Sequence, residues 1–336
     1  MRSPSCLRGP TLPLWFVAVL LMAAPVVAQD GPTPEAIALS TKAVQLDPDD
    51  AARRRVGKLV WRGGLEITSG DPRIGGLSAL LVSDDGTRLL AVTDNANWLT
   101  ATLSYDAEGA LTGIGEARLA RLRGLGGARL RKGRLRDAES LARLPNGAIL
   151  VSFERTHRIW RYPPTDEPLT GQPTAWPRPE GIAEAPRNGG LEALVALDDG
   201  GLLALSEDLE RGDGKAGYLW RDEAWLLLTY RPAEGFKPTG ASRLPGSGDL
   251  LVLERAFQPL TGPRIRLVQL AASQIRPSAD LEGTELARWG LPFTVDNFEG
   301  LAARRGPDGE TLVYLLSDDN FSLLQRTLLV MFELEE

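Results

Sequence analysis

The sequence predicts an all-β fold, a β-propeller built from four-stranded blades, and three observations carry that prediction. One strand–turn–strand unit recurs five times, roughly every fifty residues. Each copy turns on a Gly-containing pair of the kind that supplies positive φ to a tight hairpin. No ten-residue stretch of the domain shows sustained helical periodicity. Short antiparallel strands repeated at this period cannot each bury a core alone, and stacking them radially around an axis solves that problem.

The elements can be justified in order. The chain of 336 residues opens with Arg2 and Arg8, followed by the apolar run "LPLWFVAVLLMAA" and the small-residue site "VVAQD". This is the pattern of a secretory signal peptide, residues 1–28, cleaved after Ala28. The run is shorter than the ~20 residues of a spanning helix, so no membrane span is expected after cleavage, and the protein is expected to be periplasmic or secreted. Residues 29–55 are polar and Pro-containing and read as a linker or a short surface helix. The propeller domain then occupies 56–336.

The five copies begin with "GGLSALLVSDDGTRLLAVTDN" (75–95) and "DAESLARLPNGAILVSFER" (137–155). "GGLEALVALDDGGLLALSED" (189–208), "KPTGASRLPGSGDLLVLER" (237–255) and "DNFEGLAARRGPDGETLVYLLSDDN" (296–320) follow. The second and fourth align without a gap at an offset of 100 residues, both ending in Glu-Arg. Turns fall at Asp85-Gly86, Asn146-Gly147, Asp199-Gly200 and Asp308-Gly309. Outer strands are supplied by "WLTATLSYD", "HRIWRYP", "AGYLWRD", "WLLLTY" and "IRLVQL". After the last copy only "RTLLVMFEL" remains, so that blade is one strand short. "VGKLVWRGGLEI" (56–67), ahead of the first copy, can fill the place and close the ring. Five visible copies give five blades; a sixth, degenerate blade hidden in the longer spacings is the alternative.

Composition narrows the function. The only cysteine, Cys6, lies in the signal, so the mature chain has no disulfide and no thiolate metal site. With 44 Asp+Glu against 38 Lys+Arg the chain is mildly acidic, which argues against a nucleic-acid partner. There is no G-x-S-x-G elbow, no Walker loop and no H-E-x-x-H.

What the repeats do offer is acids at equivalent places. One set opens the inner strand: Glu139, Glu192 and Glu299, with Ser78 and Thr239 in the other two blades. A second set closes the next strand: Asp94, Glu154, Glu207, Glu254 and Asp318. In a hairpin the start of one strand lies beside the end of its partner, so both sets are expected at one rim of the channel. Carboxylates gathered there repel one another unless basic groups or a hard cation intervene. Calcium, with six to eight oxygen ligands and tolerance of irregular geometry, suits donors from separate blades. The plainer reading pairs these acids with adjacent arginines or places them in turns. His157, the single histidine, reads as a surface or packing residue. Trp61, Trp160 and Trp220 read as packing between blades, while Trp98 is a candidate for lining a ligand site. The basic stretch "RLRGLGGARLRKGRLR" (121–136) reads as a solvated connector, with an acidic ligand or lipid headgroups as the functional alternative.

Taken together and in this order, the five segments resemble the phytase-like esterase family of exported bacterial propellers, over roughly Val56 to the C-terminus. The resemblance implies esterase-like or phosphoesterase-like hydrolysis of a small-molecule ester or phosphate ester. It implies calcium as cofactor, by similarity to the propeller phytases, although the phosphate-site signatures of those phytases are missing here. The candidate residues therefore come from geometry. Glu139, Glu192 and Glu299 are the catalytic candidates, as metal ligands or with one of them a general base toward water. Asp94 and Asp318 join them as metal ligands, and Arg155, Arg255 and Lys237 are candidates to hold the anionic part of an ester. A monomer is expected. A non-catalytic binding propeller and a lactonase-like hydrolase remain the alternative functions.

Overall fold

In the computed structural model, the residues described are 33–130, 133, 135–164 and 170–335. The signal-peptide segment lies outside them. Among the described residues no helix is long and apolar enough to cross a membrane.

The chain begins with β1 (Glu35–Ala36), β2 (Ser40–Ala43), β3 (Arg55–Val56) and β4 (Leu59–Thr68). Blade 1 is β5 (Leu77–Val82), β6 (Arg88–Thr93), β7 (Asn97–Tyr105) and β8 (Leu111–Arg121). Blade 2 is β9 (Ala138–Arg143), β10 (Ile149–Phe153), β11 (Arg158–Tyr162) and β12 (Thr174–Trp176). Blade 3 is β13 (Leu191–Ala196), β14 (Leu202–Arg211), β15 (Gly214–Arg221) and β16 (Ala224–Tyr230). Blade 4 uses β17 (Lys237–Arg243), β18 (Leu250–Gln258) and β19 (Gly262–Leu270); after the short β20 (Asp280–Leu281) it is completed by β21 (Thr284–Gly290). Blade 5 is β22 (Phe298–Arg305), β23 (Thr311–Ser317), β24 (Thr327–Leu334) and, from the other end of the sequence, β4.

The ring therefore closes as the sequence predicts. β4 pairs antiparallel with β24, for example Leu65 opposite Leu329 and Leu59 opposite Leu334. The fold is a five-bladed propeller, with no sixth blade among the described residues. Within 29–55, expected as a linker or a short surface helix, the described residues form the short strands β1 and β2 and the start of β3, joined by turns, and no helix. β1 extends the edge of blade 1 on β8, and β2 extends blade 5 on β4. Leu46, between them and the ring, is fully buried in the core where blades 4 and 5 meet. Such added edge strands also cover backbone donors that would otherwise be open to another chain.

The core sits between neighbouring sheets. Five apolar clusters form, one at each blade–blade interface, because each twisted sheet presents alternate residues to either neighbour. Trp61 meets Phe332 edge-on at 5.1 Å, and Trp160 packs on Phe153 at 4.8 Å. Trp220 packs at the interface of blades 2 and 3. Trp98 belongs with them: it is fully buried and T-shaped against Tyr162, which corrects its reading as a ligand-lining residue.

Candidate functional site

Each inner strand carries a β-bulge where it starts, at the mouth of the central channel. The pairing skips Ser78 in blade 1, Glu139 in blade 2, Glu192 in blade 3, Thr239 in blade 4 and Glu299 in blade 5. These are the five residues the sequence treats as equivalent. A bulge leaves one residue outside the ladder and re-aims its side chain, and here it turns three glutamates toward the axis. The residue after each bulge is small: Ala79, Ser140, Ala193, Gly240 and Gly300. A Cβ on Gly240 would collide with the carbonyl of Glu299, so neighbouring inner strands meet too closely at this level for a larger side chain.

A second ring lies just beyond, at the ends of the second strands. Asp94, Glu154, Glu207 and Asp318 occupy it, each with its N–H donating to the start of its own inner strand. In blade 4 the expected Glu254 is absent from the ring, and Arg255 holds the place opposite Lys237. The cause is the turn. Leu144 closes its turn on Ala148, whereas Leu244 closes on Asp249, one residue further along. Arg143 consequently faces Ile149, but Arg243 faces Leu250. A slip of one residue sends every later side chain to the opposite face. Glu254 is thereby turned into the blade, fully buried, where it accepts from Tyr230 Oη at 2.5 Å and from Arg266 Nη1 at 2.7 Å. The gapless sequence match between the two copies conceals this difference.

Both rings open into one cavity of about 160 Å³, lined by Asp94, Asp137, Glu139, Glu154, Glu192, Glu207, Glu299 and Asp318, with Arg155, Arg255, Asn188 and Asn320. Asp137, which the repeat does not single out, stands one residue before β9. The corresponding positions hold Gly76, Gly190, Lys237 and Asn297, so no recurrence marks it. Carboxylate oxygens of Asp137, Glu139 and Glu154 come within 4.8 Å of one another, a group able to hold a metal ion.

Counter-charge is scarce inside the cavity. Arg155, at φ 55 in a region uncommon for arginine, folds back to pair with Asp137. Arg255 Nη2 lies 3.2 Å from Glu207 and 3.6 Å from Glu299. Lys237 is engaged by Asp208 and lies 3.9 Å from Glu207, at the edge of the site. Among the described residues Glu192 makes no ion pair with a basic group, and Asp94 Oδ1 is buried without a hydrogen-bond partner. Glu154 accepts from the Gly190 N–H at 2.7 Å, and Glu299 from Asn297 Nδ2 at 2.8 Å. His157 lies buried against Gly190, behind Glu154 and outside the cavity lining.

Electrostatics follow from this crowding. Burial, reinforced by the charges of Glu154, Asp137, Glu299 and Asp94, pushes Glu139 well above the ordinary carboxylate range. Burial and then Glu139, Glu154 and Glu207 do the same to Glu192. Glu299 rises to about 8, through burial and then Asp318, against the opposing pull of Arg255. Asp94 rises to about 7, by burial and the charges of Asp318 and Asp137. Burial also lifts Asp137 and Asp318 to about 6. All-oxygen donors, an unpartnered buried carboxylate oxygen and a surplus of negative charge fit a hard divalent cation.

Fold and site define a propeller with an acidic, oxygen-lined funnel at one end of its axis. The chain belongs to the phytase-like family, described as "esterase-like activity of phytase", whose family model matches residues 72–321. No curated protein matches the chain. Solved structures similar to it include the Malassezia sympodialis allergen Mala s 1, at 13% identity over 87% of this chain and 95% of that one, TM-score 0.44. Virginiamycin B lyase from Staphylococcus aureus shares 10% identity over 89% and 100% of the two chains, TM-score 0.42. Aldose sugar dehydrogenase from Streptomyces coelicolor shares 15% over 90% and 100%, TM-score 0.42. These likenesses are loose, and the fold rests on the strand pairing above.

Proposed function

We propose that the funnel binds calcium and hydrolyses a phosphate or carboxylic ester of a small molecule. The observation carrying this reading is the collection of carboxylates from separate blades in one small cavity whose two arginines cannot neutralise them. Asp137, Glu139 and Glu154 would hold the cation, with Asp94 contributing from the neighbouring blade. A bound calcium ion would neutralise these acids and polarise the ester oxygen.

The remaining residues have separate tasks. Arg255, between Glu207 and Glu299, offers its guanidinium to the anionic part of the substrate, and Arg155 offers a second cation at the lip. Glu192, without a basic partner, is the proton acceptor. It takes a proton from the attacking water as the new bond to phosphorus or carbonyl carbon forms. It returns that proton to the leaving alkoxide as the ester bond breaks. The reading extends to export: the apolar run before Ala28 is a cleaved signal, and N-terminal sequencing should find Gln29 first on a soluble monomer.

The test uses purified mature protein with p-nitrophenyl phosphate and p-nitrophenyl acetate, in calcium and in EDTA. Turnover that needs calcium and falls at least ~100-fold in Glu192→Gln is the expected result. A protein inert toward both substrates at every calcium concentration would end the hydrolase reading.

A further inference from the structure

The funnel end of the molecule also carries an apolar crown that the hydrolytic reading does not use. In each blade the second strand runs toward the funnel, the third away and the fourth toward it again. The loops joining second to third strands, and those joining one blade to the next, therefore all lie on the funnel face. Leu260 sits in the β18–β19 turn, and Leu323 and Leu324 in the β23–β24 connection; they are 99%, 104% and 95% exposed. Phe257 and Leu291 stand beside Leu260, both well exposed. A Cβ added at Gly262 would be 3.3 Å from Leu291, which joins that turn to the connection between blades 4 and 5. Phe321 leans over Gly75 and Gly76, and Leu125 and Leu135 are exposed on the connection from blade 1 to blade 2. Among the described residues Leu227, on a blade-3 strand, is the one large exposed hydrophobic away from this face.

Chains in water do not normally leave leucines fully bare on neighbouring loop tips unless something covers them. The arc runs from blade 4 through blades 5 and 1 to blade 2, and Arg129 is exposed on the same connection as Leu125; on the next, Arg178 and Arg187 are exposed together with Glu180 and Glu184. The funnel carboxylates are recessed and buried behind these tips. The acidic tips Glu210 and Asp213 belong to blade 3, which carries no exposed leucine among the described residues of this face. The exposed charge beside Leu125 is thus positive, while on the connection from blade 2 to blade 3 exposed acids and arginines are mixed.

We infer that this arc of loops docks the protein on an anionic lipid surface, with the funnel facing the lipid. Separate apolar tips enter a fluid headgroup layer independently, whereas a protein partner would need one continuous complementary face. The arginines meet the negative headgroups, an attraction that weakens with salt. Docking would present the funnel to amphiphilic molecules held in that surface.

The experiment is flotation of the mature protein, in EDTA at pH 6, with vesicles of phosphatidylcholine alone or mixed with phosphatidylglycerol. Working in chelator separates docking from any calcium-dependent activity and removes calcium bridging. Binding is expected to the mixed vesicles, to weaken several-fold at high salt, and to fall at least ~10-fold in Leu260→Asp/Leu323→Asp/Leu324→Asp with unchanged melting. Arg129→Glu should reduce binding several-fold. Absence of binding to mixed vesicles, or equal binding by wild type and the triple variant, overturns the inference. So does a wild-type dimer in sedimentation that the triple variant loses, since the arc would then belong to a second copy of the chain.

Discussion

Replacing Asp94 by Asn should stabilise the protein in chelator, and only at high pH. Asp94 is raised from 3.8 to about 7 by burial and by the charges of Asp318 and Asp137. At about 1.4 kcal/mol for each tenfold change in proton affinity, charging it in the folded state costs about 4 kcal/mol at most. The sign follows from proton counting. Near pH 4 and below, folded and unfolded chains both hold the proton and the cost is absent. Between about pH 4 and pH 7 the folded state keeps a proton that the unfolded state has released, so stability falls as pH rises. Above pH 7 the loss is complete. Asn keeps the shape and never charges. For roughly 300 ordered residues an unfolding entropy of about 0.6 kcal/mol/K converts 4 kcal/mol into ~6 °C. Melting followed by circular dichroism in EDTA should therefore show Asp94→Asn above wild type by up to ~6 °C at pH 8, and equal to it near pH 4. Calcium should narrow this gap, because a hundredfold excess over Kd adds about 2.7 kcal/mol to whichever form binds it, and should cancel it only near a thousandfold excess, where the gain is about 4.1 kcal/mol. A variant that melts below wild type in EDTA at pH 8, or differs from it equally at both pH values, would refute the reasoning.

Two further outcomes follow from the same structure. Arg255→Gln removes the cation that faces Glu207 and Glu299, so melting in EDTA at pH 8 should drop while the increment gained on adding calcium grows; an unchanged increment would show that Arg255 does not offset the funnel charge. Leu46→Ala, in the segment before the ring, should cost about 2–5 kcal/mol by opening a cavity between blades 4 and 5; urea unfolding that moves by less than 1 kcal/mol would return that segment to the status of a linker.

The sequence by itself pointed to five blades over six, to the closure of the ring and to the inner-strand residues at the channel mouth. Those features are local. Strand–turn–strand periodicity is written in each copy, and the missing fourth strand of the last blade has an obvious donor in Val56–Ile67. The bulged Ser78, Glu139, Glu192, Thr239 and Glu299 fall at one place in every repeat. Tertiary structure alone decided what depends on counting from a turn or on unrepeated neighbours. The extra residue in the Leu244–Asp249 turn exchanged Glu254 for Arg255 at the funnel, since the face a strand residue occupies is set by parity of pairing rather than by alignment. Asp137 joined Glu139 and Glu154 without any acid at the equivalent position of another blade. Trp98 looked like a rim residue because it follows Asp94 closely, yet β7 turns its ring into the core between blades 1 and 2. Leu46 lay in a polar segment, and only the packing of that segment against the ring revealed its burial. Repeats make one-dimensional spacing report on three-dimensional symmetry; departures from the repeat are visible only where the chain is folded.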